Sequence, residues 1–226
     1  MVLDKKVAEQ TVDFLTQINA IKLNTKNPFT WTSGIKSPIY CDNRLVLSYP
    51  KIREFIANSM SQIIKNKYGN DISIVGVATG AIAIGIMIAE RLNLPYAYVR
   101  PEPKGHGLKN QIEGNIDKNS NVLVIEDLIS TGKSSLTAIN ALKSNGYNVI
   151  GMLSIFSYNF EFANKKFVSE KITINSLADY NTLVEIIESK GDISFVKDSN
   201  NKAYVHSSNG DLFSIKDSAN NHIGNS

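Results

Sequence analysis

The segment with the clearest chemistry runs from Glu126 to Ser134, where two adjacent carboxylates precede a turn of hydroxyl residues and glycine. The apolar residues before it, Val122–Ile125, predict a buried strand. Backbone N–H groups of such a turn, together with the dipole of a following helix, bind anions. The hydroxyl side chains add donors, and the carboxylates accept hydrogen bonds from hydroxyl groups. The segment therefore predicts a site for a phosphate attached to a group rich in hydroxyls.

Two other interpretations of this segment compete. Gly132-Lys133-Ser134 matches the end of a nucleotide-binding P-loop. That pattern needs glycine at position 127, where the carboxylate of Asp127 would repel phosphates. Alternatively, the two carboxylates only cap the following helix. Capping accounts well for one carboxylate and less well for two at the end of a buried strand.

The elements around this segment predict an α/β fold with a mostly parallel central sheet flanked by helices. Strands that alternate with helices imply a parallel sheet covered on both faces, and ligands of such sheets bind beyond the carboxyl ends of the strands. The patterns predict strands over Ile72–Val77, Pro95–Val99, Asn121–Ile125, Val149–Phe156 and Ile172–Ile174, and helices over residues 3–18, Ala81–Leu92, Lys133–Ser144 and Asp179–Ser189, with a further helix starting at Pro50.

One apolar stretch allows a membrane interpretation. From Ile72 to Ala89 about eighteen residues carry no charge, which is the length of a short transmembrane helix. Gly76, Thr79 and Gly80 interrupt this stretch, and a β-branched half precedes a helix-like half. The pattern therefore favours a buried strand, a tight turn and a buried helix.

The composition is that of a globular protein. The 226 residues are 42% hydrophobic and carry a net charge of +3, which is too weak to indicate nucleic-acid binding. A single cysteine indicates a reducing compartment, and acidic residues near the N-terminus argue against a signal peptide. Both features predict a cytoplasmic protein.

The C-terminal part of the chain differs in character from the rest. From Ser194 onward Asn, Ser, Asp and Lys dominate, and Asn209-Gly210 lies between alternating segments, as in a two-residue hairpin. We expect one domain over residues 1–193 and a polar tail or small hairpin over residues 194–226.

Four segments of the sequence resemble orotate phosphoribosyltransferase, a type I phosphoribosyltransferase. VLVIEDLISTGKSS is similar to the motif of that class for phosphoribosyl pyrophosphate (PRPP). Phe29–Pro50 resembles the N-terminal region that covers the substrate, here called the hood and placed at about residues 1–50. Tyr98–Gly114 resembles the flexible catalytic loop, and Ile174–Gly191 resembles the C-terminal strand and helix. The segments keep the family's order, and the resemblance covers about residues 5–193.

The resemblance implies a reaction and a role for each matched residue. Orotate would take the phosphoribosyl group of PRPP, giving orotidine 5′-monophosphate and pyrophosphate in pyrimidine biosynthesis. The catalytic residues would be Asp127, Arg100, Lys104 and His106. These four would also bind PRPP, together with Thr79, Gly80, Glu126, Leu128, Ile129, Ser130, Thr131, Gly132, Lys133 and Ser134, while Ser130 and Tyr40 would contact orotate.

The resemblance also implies a cofactor and a partner. Mg²⁺ would be held mainly by PRPP and pyrophosphate, so no cluster of protein ligands is expected. The partner would be a second copy of the chain, because in the family part of the loop over residues 100–114 serves the neighbouring subunit's site. Neither nucleic acid nor membrane is an expected partner.

Several positions depart from the family pattern. Many members carry lysine at the positions of Thr32 and Pro101, and here Glu102 follows Pro101. Lys133 stands where glycine is common. The turn at 79–80 also lacks a Tyr-Lys pair that some members have. These departures leave open which cations engage the pyrophosphate, and Lys133 or Lys36 is a hypothetical substitute.

Two competing functions share this fold class. The first is a purine-base phosphoribosyltransferase, against which the segments RPEPKGHG and SGIKSPIYCDNR argue. The second is a nucleic-acid-binding regulator, which would need a basic accessory domain. Lysines and aspartates balance in the tail from Ser194, so it offers no basic patch.

Of the remaining candidates, Cys41 is interpreted as a packed residue, and Trp31 lies either beside the substrate or in the core.

Overall fold

The structure is a computed structural model that describes residues 1–24, 27–31, 33–102 and 111–189, and the backbone of 193–197, 203–207 and 212–213. The helices in this part of the chain are α1 (Lys5–Gln17), α2 (Pro50–Tyr68), α3 (Ile82–Leu92), α4 (Lys133–Ser144), α5 (Glu161–Ser169) and α6 (Tyr180–Ser189). The strands are β1 (Ile21–Leu23), β2 (Phe29–Thr30), β3 (Lys36–Ser37), β4 (Ile39–Cys41), β5 (Ile72–Val77), β6 (Tyr96–Val99), β7 (Ile112–Glu113), β8 (Asn121–Ile129), β9 (Asn148–Ser157), β10 (Ile174–Asp179), β11 (Ile193–Lys197), β12 (Ala203–Ser207) and β13 (Leu212–Phe213).

The central sheet has six strands in the order β10-β9-β8-β5-β6-β7. All neighbouring pairs are parallel except β6 and β7, which are antiparallel. Successive residues of β8 point to opposite faces, so Leu123 and Ile125 join the core cluster that includes α1, α2 and α3. Val122 and Val124 join the second cluster, with α4. The predicted α/β fold with a mostly parallel, doubly covered sheet is confirmed.

The N-terminal hood is built from small antiparallel pairs. Strand β1 pairs with β4, and β2 pairs with β3. A 3-10 helix over Asn43–Ser48 then leads into α2. The hood is fixed to the sheet by aromatic packing, because the Trp31 ring lies 4.5 Å from the Tyr158 ring just beyond β9.

Two strands differ from their expected bounds by more than the one or two residues seen elsewhere, and one helix was not expected. Strand β8 continues to Ile129 because its pairing with β9 extends through Glu126↔Ser154 to Ile129↔Ser157, so the carboxylates lie within the strand. Strand β10 lies at Ile174–Asp179, later than expected, because its polar residues are buried: the Ser176 and Ser154 hydroxyl oxygens lie 2.8 Å apart. Helix α5 was not expected, because its segment buries only Ala163 and Phe167.

The segment from Ile72 to Ala89 forms β5, a turn and most of α3, as predicted. Within the described residues, the structure contains no helix with the length and apolar character needed to cross a membrane.

The edge of the central sheet at β10 is covered by the first residues of the chain. Val2 forms a parallel bridge with Ser176, and the Ser176 N–H donates to the Met1 carbonyl at 3.3 Å. The Met1 amino group donates to the Ile174 carbonyl at 3.2 Å.

The C-terminal strands β11, β12 and β13 form an antiparallel sheet. Strands β12 and β13 pair through Val205↔Phe213 and His206↔Leu212, on either side of the predicted Asn209-Gly210 turn. The turn itself lies outside the described residues, and the division of the chain near residue 193 remains a prediction.

The first testable prediction concerns Gly132, which precedes α4. Gly132 has a φ of +74°, and an added Cβ would lie 2.8 Å from the ring of buried Phe167. Gly132→Ala should therefore lower the free energy of unfolding by about 1 kcal/mol for backbone strain and by a further 1–3 kcal/mol, roughly, for overpacking. Equilibrium urea unfolding followed by circular dichroism measures the loss.

Gly146→Ala is the matched control for this prediction. Gly146 has a φ of +85° but no atom within 4 Å of an added Cβ, so only the cost of about 1 kcal/mol for backbone strain is expected. Equal losses in the two variants would contradict the packing role assigned to Gly132.

Candidate active site

A cleft of about 870 Å³ lies at the carboxyl ends of β5, β6 and β8, with the hood as its opposite wall. It brings together most of the predicted site residues. Those that line it are Tyr40, Thr79, Gly80, Arg100, Glu126, Asp127, Leu128, Ser130, Thr131, Lys133 and Ser134. Ile129 does not line the cleft because its side chain is buried in the core, and Gly132 packs against Phe167. Lys104 and His106 lie outside the described residues.

The two adjacent carboxylates have different environments. Glu126 is only 4% exposed, and the Ser135 hydroxyl of α4 donates to its Oε2 at 2.9 Å. The backbone N–H of Asp127 donates to Glu126 Oε1 at 3.2 Å. Asp127 is half-buried and lies directly over Gly80, where any added Cβ would overlap its carboxyl group. Glu126 therefore anchors the first turn of α4, and Asp127 presents its carboxylate to the cleft.

The protonation of Glu126 follows from this burial. Loss of solvent contact raises the pKa of the Glu126 carboxyl well above its ordinary value, and the neighbouring Asp127 carboxylate raises it further. The hydrogen bond from Ser135 opposes this rise but is the weaker effect. Burial therefore favours the neutral form of Glu126.

The turn after β8 leads directly into α4. No side chain caps the N-terminus of this helix, whose first residue is Lys133. The N–H groups of a first helical turn have no partner within the helix, and the helix dipole makes this end attractive to anions. The hydroxyl groups of Ser130, Thr131 and Ser134 line the same part of the cleft. This arrangement suits a phosphate group, as the sequence predicts.

A second turn approaches Asp127 from the end of β5. The Ala78–Thr79 peptide bond is cis, and Thr79 and Gly80 line the cleft. The absence of a side chain at Gly80 gives the Asp127 carboxyl group its place against this turn.

Arg100 lies where the predicted catalytic loop begins. Its Nη1 is 3.5 Å from Glu113 Oε1 on β7, which forms a partly exposed ion pair. The Arg100 N–H donates to the Gln111 carbonyl at 2.8 Å, and the Gln111 side chain donates back to the Arg100 carbonyl at 3.0 Å. The two ends of the loop are therefore held together beside the cleft.

Asn43 joins the hood to β8 and was not identified from the sequence. Its Nδ2 donates to the backbone carbonyl of Asp127 at 2.6 Å, and its Oδ1 accepts from the Cys41 thiol at 3.0 Å. Asn43 is 1% exposed, and its bond to Cys41 is buried while its bond to Asp127 is partly buried. The partners are 84 residues apart in sequence, and no local pattern predicts such a contact.

Cys41 and Trp31 are both packed residues of the hood. Burial raises the pKa of the Cys41 thiol, which disfavours the nucleophilic thiolate and agrees with its interpretation as a packed residue. Trp31 combines its two expected positions, since it packs on Tyr158 and also lines the cleft. Its Nε1 donates to the Ile39 carbonyl at 3.3 Å.

Comparison with known families agrees with this architecture. Residues 46–174 match the family model described as phosphoribosyl transferase domain, which covers more than half of the chain. The fold is thus that of a phosphoribosyltransferase.

Individual relatives define the family more narrowly. The chain is 48% identical over 192 residues to orotate phosphoribosyltransferase of Phocaeicola vulgatus, covering 85% of this chain and 89% of the relative. It is 46% identical over 185 residues to that of Bacillus cytotoxicus, covering 82% and 88%. The crystal structure of orotate phosphoribosyltransferase from Aeropyrum pernix superposes with a TM-score of 0.69 at 30% identity, covering 79% of this chain and 98% of that one. The chain belongs to the orotate phosphoribosyltransferase family.

The second prediction concerns the pH dependence that Glu126 imposes on stability. Because its pKa is higher in the folded than in the unfolded protein, stability falls as the pH rises from about 4.5 towards the raised folded value. Over this window the wild type should lose up to about 1.4 kcal/mol of unfolding free energy per pH unit relative to Glu126→Gln. Urea unfolding of both proteins across pH measures this difference.

Glu54→Gln is the control for the Glu126 prediction. The Arg91 guanidinium, which forms an ion pair with Glu54, lowers the pKa of that exposed carboxyl, so its titration works in the opposite direction. Relative to this variant, the wild type should not lose stability as the pH rises. A pH-independent difference between wild type and Glu126→Gln would contradict the assigned environment of Glu126.

Proposed function

We propose that this cleft carries out the orotate phosphoribosyltransferase reaction, with Asp127 as the residue that contacts the reacting ribose. Orotate N1 loses its proton to solvent and bonds to ribose C1 of PRPP, and the electron pair of the broken C1–oxygen bond leaves with pyrophosphate. The observation that carries the proposal is the position of the Asp127 carboxylate between the uncapped N-terminus of α4 and the turn at Gly80, in one cleft beneath the hood.

Each wall of the cleft has its own part in this proposal. The turn from Ser130 to Ser134 binds the 5′-phosphate through N–H and hydroxyl donors. Asp127 accepts hydrogen bonds from the ribose hydroxyls and stabilises the positive charge that develops on the ribose as the bond to pyrophosphate breaks. Tyr40 and Ser130 border the position of orotate.

The leaving group meets the opposite end of the cleft. Thr79 and Gly80 offer a turn without bulky side chains, and Arg100 adds a cation at the base of the loop. We propose that Lys104 and His106 join Arg100 over the pyrophosphate. Cations there neutralise the charge that develops on the leaving group, and closure over the site excludes water that would hydrolyse PRPP.

The cleft fits a magnesium ion carried by the substrate. Mg²⁺ prefers oxygen ligands and usually combines one or two carboxylates with substrate phosphates and water. Asp127 is a carboxylate of this kind, and the described residues contain no group of three or more His, Cys, Asp or Glu side chains that could hold a metal by themselves. When bound, the ion supplies positive charge to the pyrophosphate.

The assembly and location belong to the same proposal. We expect a homodimer in which the loop over residues 100–114 of one subunit contributes to its partner's site, as the family resemblance implies. We expect the enzyme in the cytoplasm, where a single free cysteine is compatible with the reducing environment.

The third prediction tests the reaction directly. Orotate absorbance should fall when the protein is mixed with orotate, PRPP and Mg²⁺, and it should stay constant when Mg²⁺ is removed. Uracil, hypoxanthine and xanthine serve as parallel substrates and should not be consumed. Turnover of a purine or of uracil in place of orotate would contradict the proposed substrate, while PRPP binding without any turnover would favour a regulator.

The fourth prediction separates Asp127 from the loop. Asp127→Asn should lower kcat by about 100-fold or more, because it removes a charge that stabilises the transition state. Lys104→Ala should also lower kcat strongly. Mixing the two inactive variants should restore part of the activity, because a heterodimer contains one site with both native residues.

Two measurements control the mixing experiment. Circular dichroism should show that both variants are folded, and native mass spectrometry should show that heterodimers form. Near-normal turnover of Asp127→Asn would contradict its role, and heterodimers without recovered activity would contradict loop sharing between subunits.

A further inference from the structure

Arg44 lies on the hood wall of the cleft with part of its guanidinium already occupied. Its Nε donates to Asp42 Oδ1 at 2.7 Å and its Nη2 donates to Asp42 Oδ2 at 2.9 Å. A guanidinium presents donors on more than one edge, and these two bonds occupy the edge that contains Nε. The outer edge, formed by Nη1 and the second N–H of Nη2, has no hydrogen-bond partner among residues 1–24, 27–31, 33–102 and 111–189.

Asp42 holds this guanidinium in a defined position. Asp42 is the N-cap of the 3-10 helix, and its Oδ1 also accepts from the Arg44 backbone N–H at 3.3 Å. The Asp42 backbone N–H donates to the Ala20 carbonyl at 2.8 Å, which ties the pair to the hood. The Arg44 side chain is nevertheless 59% exposed, so its outer edge is open to a ligand.

The position of Arg44 in the cleft is the one expected to bind the base, and it differs from the positions expected to bind the phosphates. The basic side chains that line the described part of the cleft are Arg44, Arg100 and Lys133. Lys133 begins α4 at the phosphate turn, and Arg100 lies beside the loop, paired with Glu113. Arg44 instead follows Tyr40 on the hood. The main effect that raises the pKa of Arg44 is its hydrogen bonding to Asp42, and Asp127 and Tyr40 raise it less. The Arg44 guanidinium therefore stays charged.

Orotate carries a carboxylate attached to its flat ring. A guanidinium edge matches a carboxylate through two parallel N–H···O bonds, and an ammonium group does not reproduce this geometry. We infer that Arg44 recognises the carboxylate of orotate through its outer guanidinium edge, while Asp42 holds the inner edge as a positioning residue. This inference rests on the proposed function, because it assigns a contact to that substrate.

The fifth prediction is a selective loss of orotate recognition in Arg44→Gln. The KM for orotate should rise about 10- to 100-fold, the size expected for a charge-assisted pair, while the KM for PRPP stays unchanged. Arg44→Lys should recover only part of the affinity, because it restores the charge without the fork. Asp42→Asn should raise the KM for orotate less than Arg44→Gln does.

Arg91→Gln is the matched control. Arg91 also pairs with a carboxylate, Glu54, but lies on α3 outside the residues that line the cleft. This variant should change neither KM. Melting temperatures of all variants show whether each is folded. If Arg44→Gln is unstable, the KM values of Arg44→Lys and wild type still test whether the guanidinium recognises orotate.

The methyl ester of orotate tests the carboxylate itself. Trp31 is the only tryptophan and lines the cleft, so its fluorescence reports binding independently of turnover. The wild type should bind the neutral ester more weakly than orotate, and Arg44→Gln should weaken binding of the ester no further.

Four outcomes would overturn the inference. Equal weakening of orotate and ester binding by Arg44→Gln would mean that Arg44 does not contact the carboxylate. A raised KM for PRPP with an unchanged KM for orotate would place Arg44 at the pyrophosphate. Normal kinetics of Arg44→Gln alongside an active wild type would refute the inference alone, whereas a wild type that does not consume orotate would refute the proposed function and this inference with it.

Discussion

The hydrogen bond from Asn43 to the backbone carbonyl of Asp127 connects the two walls on which the cleft depends. The hood is made of short strands that share few backbone bonds with the central sheet. The contact from Asn43 at 2.6 Å and the Trp31–Tyr158 packing therefore hold the hood against the sheet beside the carboxylate. In the proposed reaction, the base bound at the hood and the ribose bound at β8 must meet at one distance, which a fixed spacing between the two walls would provide.

The adjacent carboxylates show how neighbouring positions in one strand acquire different tasks. Side chains alternate along β8, so Glu126 turns beneath α4 while Asp127 turns to the cleft. Burial favours the proton on Glu126, which avoids two adjacent negative charges at the end of the strand. The capping interpretation accounts for neither carboxylate, because Glu126 accepts from the Ser135 hydroxyl and not from a backbone N–H of α4, and Asp127 turns to the cleft.

The sequence predicts the elements whose signals are local. Continuous apolar residues in β5 and β8 identify the sheet, and the hydroxyl turn before Lys133 identifies the side of the cleft proposed to bind the phosphate. Helix α5 is not predictable in this way, because Ala163 and Phe167 alone make its buried side. Strand β10 buries the polar residues Asn175 and Ser176, whose side chains are hydrogen-bonded. These residues interrupt the apolar pattern by which a buried strand is predicted. Asn43 and the free edge of Arg44 depend on long-range packing and on geometry, so residue types alone do not reveal them.

The docking of Met1 and Val2 along β10 has a consequence for association between molecules. An edge strand with unpaired N–H and C=O groups is a template for pairing with strands of other chains, and natural proteins commonly protect such edges. Here the Met1 amino group and carbonyl, with the Val2 bridge, occupy the positions beside Ile174 and Ser176. The first two residues therefore pair with part of this edge, and removing them would leave the backbone groups at Ile174 and Ser176 open to pairing with another chain, away from the cleft.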